Sequence, residues 1–152
     1  MKKFSLTDLF IFVVSAELVG ALSALFAGNF QIFYSEIIQP PLSPPAIVFP
    51  IVWAILYALM GISAYLVSTS GKPYSLKIYN IQLAVNFLWS IVFFRYRLLK
   101  LSAILAVALL ILVGVMMMQF CRIRKISAGL NIPYLLWSAF ATYLAIAICI
   151  IN

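Results

Sequence analysis

The fold of this chain is decided by the stretch Pro44-Pro45-Ala46-Ile47-Val48-Phe49-Pro50-Ile51-Val52-Trp53-Ala54-Ile55-Leu56-Tyr57. Prolines suit the first turn of a helix, where a missing N–H costs no hydrogen bond. The first two prolines therefore mark the entrance of a long apolar helix, and Pro50 either bends that helix or marks its true start. Trp53 and Tyr57 are four residues apart and share one helical face. The preceding segment, Gln39-Pro40-Pro41-Leu42-Ser43, is too stiff to be helical. The sequence thus predicts a rigid loop over the end of a helix that displays two aromatic rings.

The composition places the chain in a membrane. Of its 152 residues, 66% are hydrophobic and 9% are charged, whereas a soluble domain is about half apolar and about a quarter charged. The net charge of +7 raises nucleic acid as a partner, but the basic residues lie between apolar runs, as juxtamembrane anchors do. We therefore expect a multi-pass integral protein of a lipid bilayer, in a bacterial or archaeal cell membrane or an organelle membrane, with no nucleic-acid partner.

Apolar runs of about 18 to 25 residues, long enough to cross a bilayer, divide the chain into five spans. They cover about 7–28, 44–67, 77–94, 101–121 and 128–151, with a long loop over 29–43 and short basic connections elsewhere. We expect an all-α membrane bundle of five transmembrane helices, forming a single domain over 1–152. Seven basic residues fall on the side of the N-terminus and three on the side of the long loop. This bias predicts a cytoplasmic N-terminus by the positive-inside rule.

The chain has few groups for conventional catalysis. It contains no histidine, which excludes a histidine-ligated haem or zinc site, and we expect no metal and no cofactor. Its three carboxylates, Asp8, Glu17 and Glu36, fall in different environments. Glu17 lies near the middle of the first span, where a carboxylate by default marks proton or ion coupling. The alternatives are a neutral group, a group hydrogen-bonded to Ser15, Gln82 or Asn86 across the bundle, or a position near the membrane interface in a tilted span.

The third span carries a polar stripe. Gln82, Asn86 and Ser90 follow one another at intervals of four residues, so they share one face, and in lipid that face must point inward. The stripe is either a hydrogen-bonded seam between helices or the polar wall of an internal cavity, with Trp89 at its edge.

The fifth span repeats this spacing with Pro133, Trp137 and Ala141, where the small Ala141 leaves room beside the indole ring. Tryptophans of three spans thus each lie beside a proline, an amide or a small residue. We therefore expect Trp53, Asn86 and Trp137 to line one cavity beneath the 29–43 loop.

Three blocks of the sequence and its proline-rich loop resemble the signature of the TspO/MBR family, the family of the translocator protein or peripheral-type benzodiazepine receptor. The blocks are Phe49–Gly61, Gln82–Phe94 and Pro133–Leu144, preceded by Pro40–Pro45. The resemblance implies a five-helix bundle, usually a homodimer, that binds porphyrins and, in some members, sterols and drug-like ligands in a pocket open toward the long loop. Two departures stand out, since the family often has tryptophan in place of Leu42 and asparagine in place of Ala145.

Three functions remain open at this point. The first is a receptor or sensor that binds tetrapyrroles, such as the porphyrin protoporphyrin IX. The second is an enzyme that degrades porphyrin with light and oxygen, for which the resemblance implies catalytic roles for Trp53 and Trp137. The third is a porphyrin or sterol transporter in which Glu17 couples protons. The candidate ligand-binding residues are Pro41, Trp53, Tyr57, Asn86, Trp89, Ser90, Trp137 and Ala141.

Small residues offer two faces for the homodimer, because helix association in lipid depends on close backbone approach. The first face is formed by Gly20 and Ala24. The second, less regular face is formed by Ala103, Ala106 and Ala108.

Overall fold

The structure, a computed structural model, describes residues 4–71 and 76–152. These residues form α1 (Leu6–Ala27), α2 (Phe30–Glu36), α3 (Val48–Ser68), α4 (Leu76–Ser90), α5 (Leu99–Ile123), α6 (Lys125–Gly129) and α7 (Ile132–Ile151). A π-helical segment, Ile91–Arg95, continues α4. Five segments are long and apolar enough to cross a membrane, namely α1, α3, α4 with its π-helical continuation, α5, and α6 together with α7. The expected all-α bundle of five spans is confirmed.

Local signals explain where the first helices begin and end. The Ser5 hydroxyl accepts a hydrogen bond from the Asp8 amide (3.2 Å) and caps α1, as small polar residues commonly do at helix starts. Gly28, with φ 83°, turns the chain out of α1 in a conformation that suits glycine. Because α3 begins at Val48, Pro50 lies in its first turn and marks its start.

The helices form a ring in which α1 lies between α3 and α4, and α5 lies between α4 and α7. The contact of α1 with α3 depends on two glycines. A Cβ atom on Gly61 would lie 2.6 Å from the Val13 Cα, and one on Gly20 would lie 2.5 Å from the Tyr57 ring. The backbones of α3 and α7 make few close approaches, so the ring is loosest between them.

Both small-residue faces contribute at least one residue to packing between helices of the same chain. Gly20 packs against Tyr57, and Ala106 is buried, with its carbonyl accepting a hydrogen bond from the Thr142 hydroxyl (3.1 Å). The homodimer remains a prediction, and these contacts leave Ala24 as the exposed member of the α1 pair.

The two ends of the bundle differ in charge. The end of the bundle that carries the 29–43 loop has three basic residues after α4, namely Arg95, Arg97 and Lys100. The opposite end has four basic residues among those described, namely Lys77, Arg122, Arg124 and Lys125. Lys2, Lys3 and Lys72, which contribute to the predicted charge bias, lie outside the described residues. The cytoplasmic position of the N-terminus therefore remains a prediction.

Candidate functional site

The half of the interior nearer the N-terminal end contains a polar seam between α4 and α7. The Tyr134 hydroxyl donates to Gln82 Oε1 (2.6 Å), and Asn86 Nδ2 donates to the Tyr134 oxygen (3.4 Å). Gln82 Nε2 also approaches the Met60 sulfur at 3.7 Å. All four side chains are buried. The stripe on α4 is therefore a hydrogen-bonded seam at Gln82 and Asn86.

Nearer the loop, the interior is aromatic and centred on Trp53. Its ring centroid lies 5.8 Å from that of Tyr57, 6.2 Å from that of Tyr134 and 6.5 Å from that of Trp89. Trp89 is buried, stacks on Phe93 at 5.4 Å and donates from Nε1 to the Ser102 carbonyl (3.1 Å). Trp53 is only half-buried. Trp89 is thus fixed by its contacts, and Trp53 has more freedom.

Three cavities surround these rings. The α1 cavity, of about 100 Å³, lies between small residues of α1 and the side chains of Trp53, Tyr57, Ser90 and Phe94. The loop cavity, of about 20 Å³, is bounded in part by Tyr34, Phe49, Trp89 and Ala141. The Ser138 cavity, of about 10 Å³, is lined by Trp53, Trp89, Ala106, Leu109, Ser138, Ala141 and Thr142.

Four rings separate the cavities from one another. Trp53 borders the α1 and Ser138 cavities, Trp89 borders the loop and Ser138 cavities, and Phe49 and Phe94 both border the α1 and loop cavities. We call these four side chains the aromatic partition.

Trp137 lies in different surroundings from Trp53. It lines an open groove of about 450 Å³ between α3 and α7, together with Val52, Pro133, Leu136 and Phe140 among others. Its ring packs against Phe49 at 5.9 Å, and its buried Nε1 has no hydrogen-bond partner among the described residues. Trp53, Asn86 and Trp137 therefore occupy a cavity wall, a polar seam and an outer groove, and none of the cavities described among residues 4–71 and 76–152 is lined by all three.

The 29–43 loop closes this end of the bundle through hydrogen bonds. The Tyr34 hydroxyl donates to the Pro44 carbonyl (2.7 Å), and burial raises the pKa of this phenol. The Tyr143 hydroxyl donates to the Pro41 carbonyl (2.9 Å). The Asn152 side chain accepts from the Ile38 amide (2.8 Å) and donates to the Ile38 carbonyl (3.0 Å). Pro41 is exposed and contributes its carbonyl to this closure.

An ion pair adds to the closure. Glu36, at the end of α2, lies 2.7 Å from Arg97, and both side chains are about half exposed, at 50% and 52%. The Arg97 guanidinium also lies 5.4 Å above the centre of the Phe33 ring. The loop is thus attached to the turn that follows the π-helical segment.

Among the described residues, Glu17 forms no hydrogen bond with the partners that the sequence suggests. The Ser15 hydroxyl donates to the Ile11 carbonyl (2.6 Å), and Gln82 and Asn86 bond to Tyr134. Glu17 is partly exposed on α1, the span with the smallest buried share.

The sequence argument did not single out Phe49, Phe94 and Ser138, which line the cavities. Phe49 stands next to Pro50 and Ser138 next to Trp137, so both lie in stretches already singled out. Phe94 reaches the cavities from the π-helical turn, and such turns are frequent at functional sites. Its position depends on that turn, which the regular helical period does not predict.

Fold and site together define a class of protein, a helical multi-pass membrane protein whose interior holds an aromatic cluster and cavities beneath a closed loop. The chain belongs to the TspO/MBR family, whose sequence pattern matches residues 11–151. It is 33% identical over 125 residues to the tryptophan-rich protein TspO of Chlorobaculum tepidum, covering 79% of each chain. It is 33% identical over 111 residues to the tryptophan-rich sensory protein of Cereibacter sphaeroides, covering 72% of this chain and 70% of that protein. It is also 30% identical over 118 residues to the human translocator protein, covering 74% and 70%.

Proposed function

We propose that this protein is a membrane receptor or sensor that binds tetrapyrroles, such as protoporphyrin IX, and related apolar ligands in the space around Trp53. The main support for this proposal is that Trp53 lines two cavities. Aromatic side chains stack on flat apolar rings at separations of about 4.5 to 7 Å. The names of two relatives, a sensory protein and a translocator protein, agree with ligand binding in a membrane.

The cavities must merge for a tetrapyrrole to enter. Ligand pockets commonly measure about 300 to 1,000 Å³, whereas the α1 cavity holds about 100 Å³ and the other two about 20 and 10 Å³. Phe49, Trp53 and Phe94 are only partly buried, so rotation of these rings joins the cavities at the smallest cost. Trp89 then provides a fixed surface at the back of the pocket.

Basic residues at the loop end suit the acidic side chains of a porphyrin. Arg95 Nη1 donates to the Phe26 carbonyl (3.2 Å) near the end of α1, and Arg97 pairs with Glu36. Because Ala27 and Gly28, which follow Phe26, line the α1 cavity, the Arg95 guanidinium lies near this cavity. We expect the ring to enter between the aromatic side chains while its propionates remain with the arginines.

A pair of alanine substitutions tests the proposal. Ala24 lines the α1 cavity, whereas Ala21 is an exposed residue of the same helix outside its lining. Ala24→Phe fills the cavity and should reduce the affinity for protoporphyrin IX, measured in the dark by quenching of tryptophan fluorescence. Ala21→Phe adds the same ring elsewhere and should leave the affinity unchanged. No saturable binding to the unsubstituted protein, or equal affinities for both variants, would contradict the proposal.

Photo-oxidative degradation is a second candidate. Trp53 lies close to Tyr57, Tyr134 and Trp89, at centroid distances of 5.8, 6.2 and 6.5 Å, and these rings can pass oxidising equivalents away from an excited porphyrin. Repeating the titration under illumination in air tests this activity, because degradation removes porphyrin absorbance and binding does not.

Transport is a third candidate, favoured by the position of a carboxyl group within α1. Glu17 is partly exposed on α1 and is not one of the side chains that form the polar seam. Proton-linked uptake of protoporphyrin IX into vesicles, lost in Glu17→Gln, would support it. Uptake that is equal in both proteins, or absent from both, would contradict it.

A further inference from the structure

Ser138 presents a buried hydroxyl with no hydrogen-bond partner. Its side chain is 3% exposed, and its Oγ has no partner among the described residues. The Tyr134 hydroxyl, one turn earlier on α7, gives its hydrogen to Gln82 Oε1 (2.6 Å), and no hydrogen bond of acceptable geometry joins it to Ser138 Oγ among the described residues. A buried polar group without a partner is unfavourable, so this hydroxyl calls for an explanation.

The other polar side chains around the Ser138 cavity are already engaged or only half-buried. Trp89 Nε1 donates to the Ser102 carbonyl (3.1 Å), and Thr142 Oγ1 lies 2.7 Å from the Ser138 carbonyl. Trp53 is half-buried, and the remaining lining residues, Ala106, Leu109 and Ala141, are apolar. Ser138 therefore supplies a free, fully enclosed hydroxyl in an otherwise apolar space between two tryptophans.

We infer that Ser138 recognises a ligand in the aromatic pocket by donating a hydrogen bond from Oγ to a neutral acceptor on the edge of a flat ring. This inference rests on the proposed function, which places the ring beside Trp53. The acceptor is neutral because no cation lines this cavity, and a carboxylate there would be buried without a counter-charge. Suitable acceptors are a carbonyl oxygen or an unprotonated ring nitrogen.

The size of the cavity agrees with this chemistry. About 10 Å³ corresponds to a single atom group of roughly the size of a water molecule. The ring itself must then lie where Trp53 and the larger α1 cavity now are, with only its acceptor atom in the Ser138 cavity. A bound water could occupy the same space, and this alternative makes a different prediction for substituted proteins.

Two probes of matched shape test the inference. Fluorenone and fluorene are flat tricyclic molecules that differ by a carbonyl group in place of a methylene group. The purified full chain should bind fluorenone about three- to tenfold more tightly than fluorene, as one hydrogen bond supplies. Ser138→Ala should abolish this preference and leave the affinity for fluorene unchanged.

Ser127→Ala is the matched control. Ser127 is also fully buried with an unpartnered Oγ, but it lies in α6 and lines none of the three cavities. This variant should keep the preference for fluorenone. Ser138→Cys retains the shape of the side chain with a weaker donor and should show a reduced preference, which gives a second measurement if Ser138→Ala folds poorly.

Each other outcome overturns the inference. If Ser138→Ala still prefers fluorenone, Ser138 does not donate the proposed hydrogen bond. If Ser138→Ala loses affinity for both probes equally, the effect comes from packing or from a resident water. If the unsubstituted protein binds protoporphyrin IX but does not distinguish the two probes, the role of Ser138 fails and the proposed function stands. If it binds neither protoporphyrin IX nor fluorenone, both fail.

Discussion

The two halves of the interior differ in how their side chains pack. Toward the N-terminal end, polar side chains form hydrogen bonds between helices and hold those helices together. Toward the loop, aromatic rings leave cavities of about 100, 20 and 10 Å³ between them. Well-packed interiors leave few voids larger than a water molecule, so the second half is the exception. The contrast supports the proposal that a rigid frame holds an adaptable ligand pocket.

The frame has two hydrogen-bonded layers. One joins α4 to α7 through Gln82, Tyr134 and Asn86. The other joins α3 to α6 and α7, because Asn131 Nδ2 donates to Ser63 Oγ (2.6 Å) and to the Ser127 carbonyl (2.8 Å), which also accepts from Ser63 (2.8 Å). Polar contacts between membrane helices are worth about 0.6 to 2 kcal/mol each. Together they fix the helices on which the rings of the pocket are mounted.

The largest expected effect comes from separating α1 from α3. In Gly61→Ala the new Cβ would lie 2.6 Å from the Val13 Cα and 2.9 Å from the Phe12 carbonyl oxygen. Since these are backbone atoms, the helices must move apart, and we expect a loss of about 1 to 3 kcal/mol or more in stability. Denaturant titration in detergent measures the free energy of unfolding.

Gly114→Ala is the control for this change. A Cβ on Gly114 has no atom of another described segment within 4 Å, and alanine favours a helix more than glycine does. Its stability should equal or exceed that of the unsubstituted protein. Equal stabilities for the Gly61 and Gly114 variants would show that α1 is not held tightly against α3.

The second effect comes from opening the polar seam. Tyr134→Phe keeps the ring beside Trp53 but removes the hydroxyl that joins Gln82 to Asn86. Two buried polar groups then lack a partner, and we expect stability to fall by about 1 to 2 kcal/mol. Affinity for protoporphyrin IX should change little, because the seam is frame and not pocket.

Tyr143→Phe provides the comparison for the seam, since its exposed hydroxyl bonds to the loop at Pro41. It should lose less stability than Tyr134→Phe. A Tyr134 variant that is stable but binds porphyrin poorly would place the seam within the pocket and remove the distinction between the two halves.

The third effect separates the two tryptophans that the sequence treats alike. Trp53 borders two cavities, whereas Trp137 lines the outer groove. Trp53→Phe should weaken protoporphyrin IX binding by about 0.5 to 1.5 kcal/mol, the usual value of an aromatic contact, and should stop any light-driven loss of porphyrin absorbance. Trp137→Phe should leave both nearly unchanged. Equal effects of the two substitutions on binding would show that the groove and the cavities form one pocket.

The sequence predicts the features that depend on composition and on helical period. The apolar runs give five spans, and the four-residue spacing places Trp53 and Tyr57 in contact. It also places Gln82 and Asn86 inside, because polar groups avoid lipid. Each of these predictions depends on the residue pattern within a single helix.

The remaining features depend on the partner helix and could not be predicted in this way. The polar stripe on α4 forms a hydrogen-bonded seam because Tyr134 on α7 lies opposite to it. The loose contact of α3 with α7 leaves a groove for Trp137, and the π-helical turn moves Phe94 into the cavities. The free hydroxyl of Ser138 follows from the absence of a partner in three dimensions, which no spacing along the chain reveals.

The smallest effect concerns the attachment of the pocket to its loop. The Glu36–Arg97 pair joins the end of α2 to the turn after the π-helical segment, and both side chains are about half exposed, at 50% and 52%. Exposed ion pairs contribute about 0.2 to 1 kcal/mol, so Glu36→Gln should scarcely change stability. It should instead speed the entry and release of protoporphyrin IX, because the loop opens more often. Stopped-flow quenching of tryptophan fluorescence measures both rates.

Ionic strength gives the sharper form of this prediction. Salt screens exposed charges, so the rates of the unsubstituted protein should rise toward those of Glu36→Gln as salt is added, while the rates of the variant change less. Asp8→Asn removes an exposed carboxylate at the opposite end of the bundle and should show the salt dependence of the unsubstituted protein. If Glu36→Gln and Asp8→Asn alter the rates equally, net charge controls ligand entry. A specific effect at Glu36 instead identifies the loop as the moving cover of a pocket whose frame stays fixed.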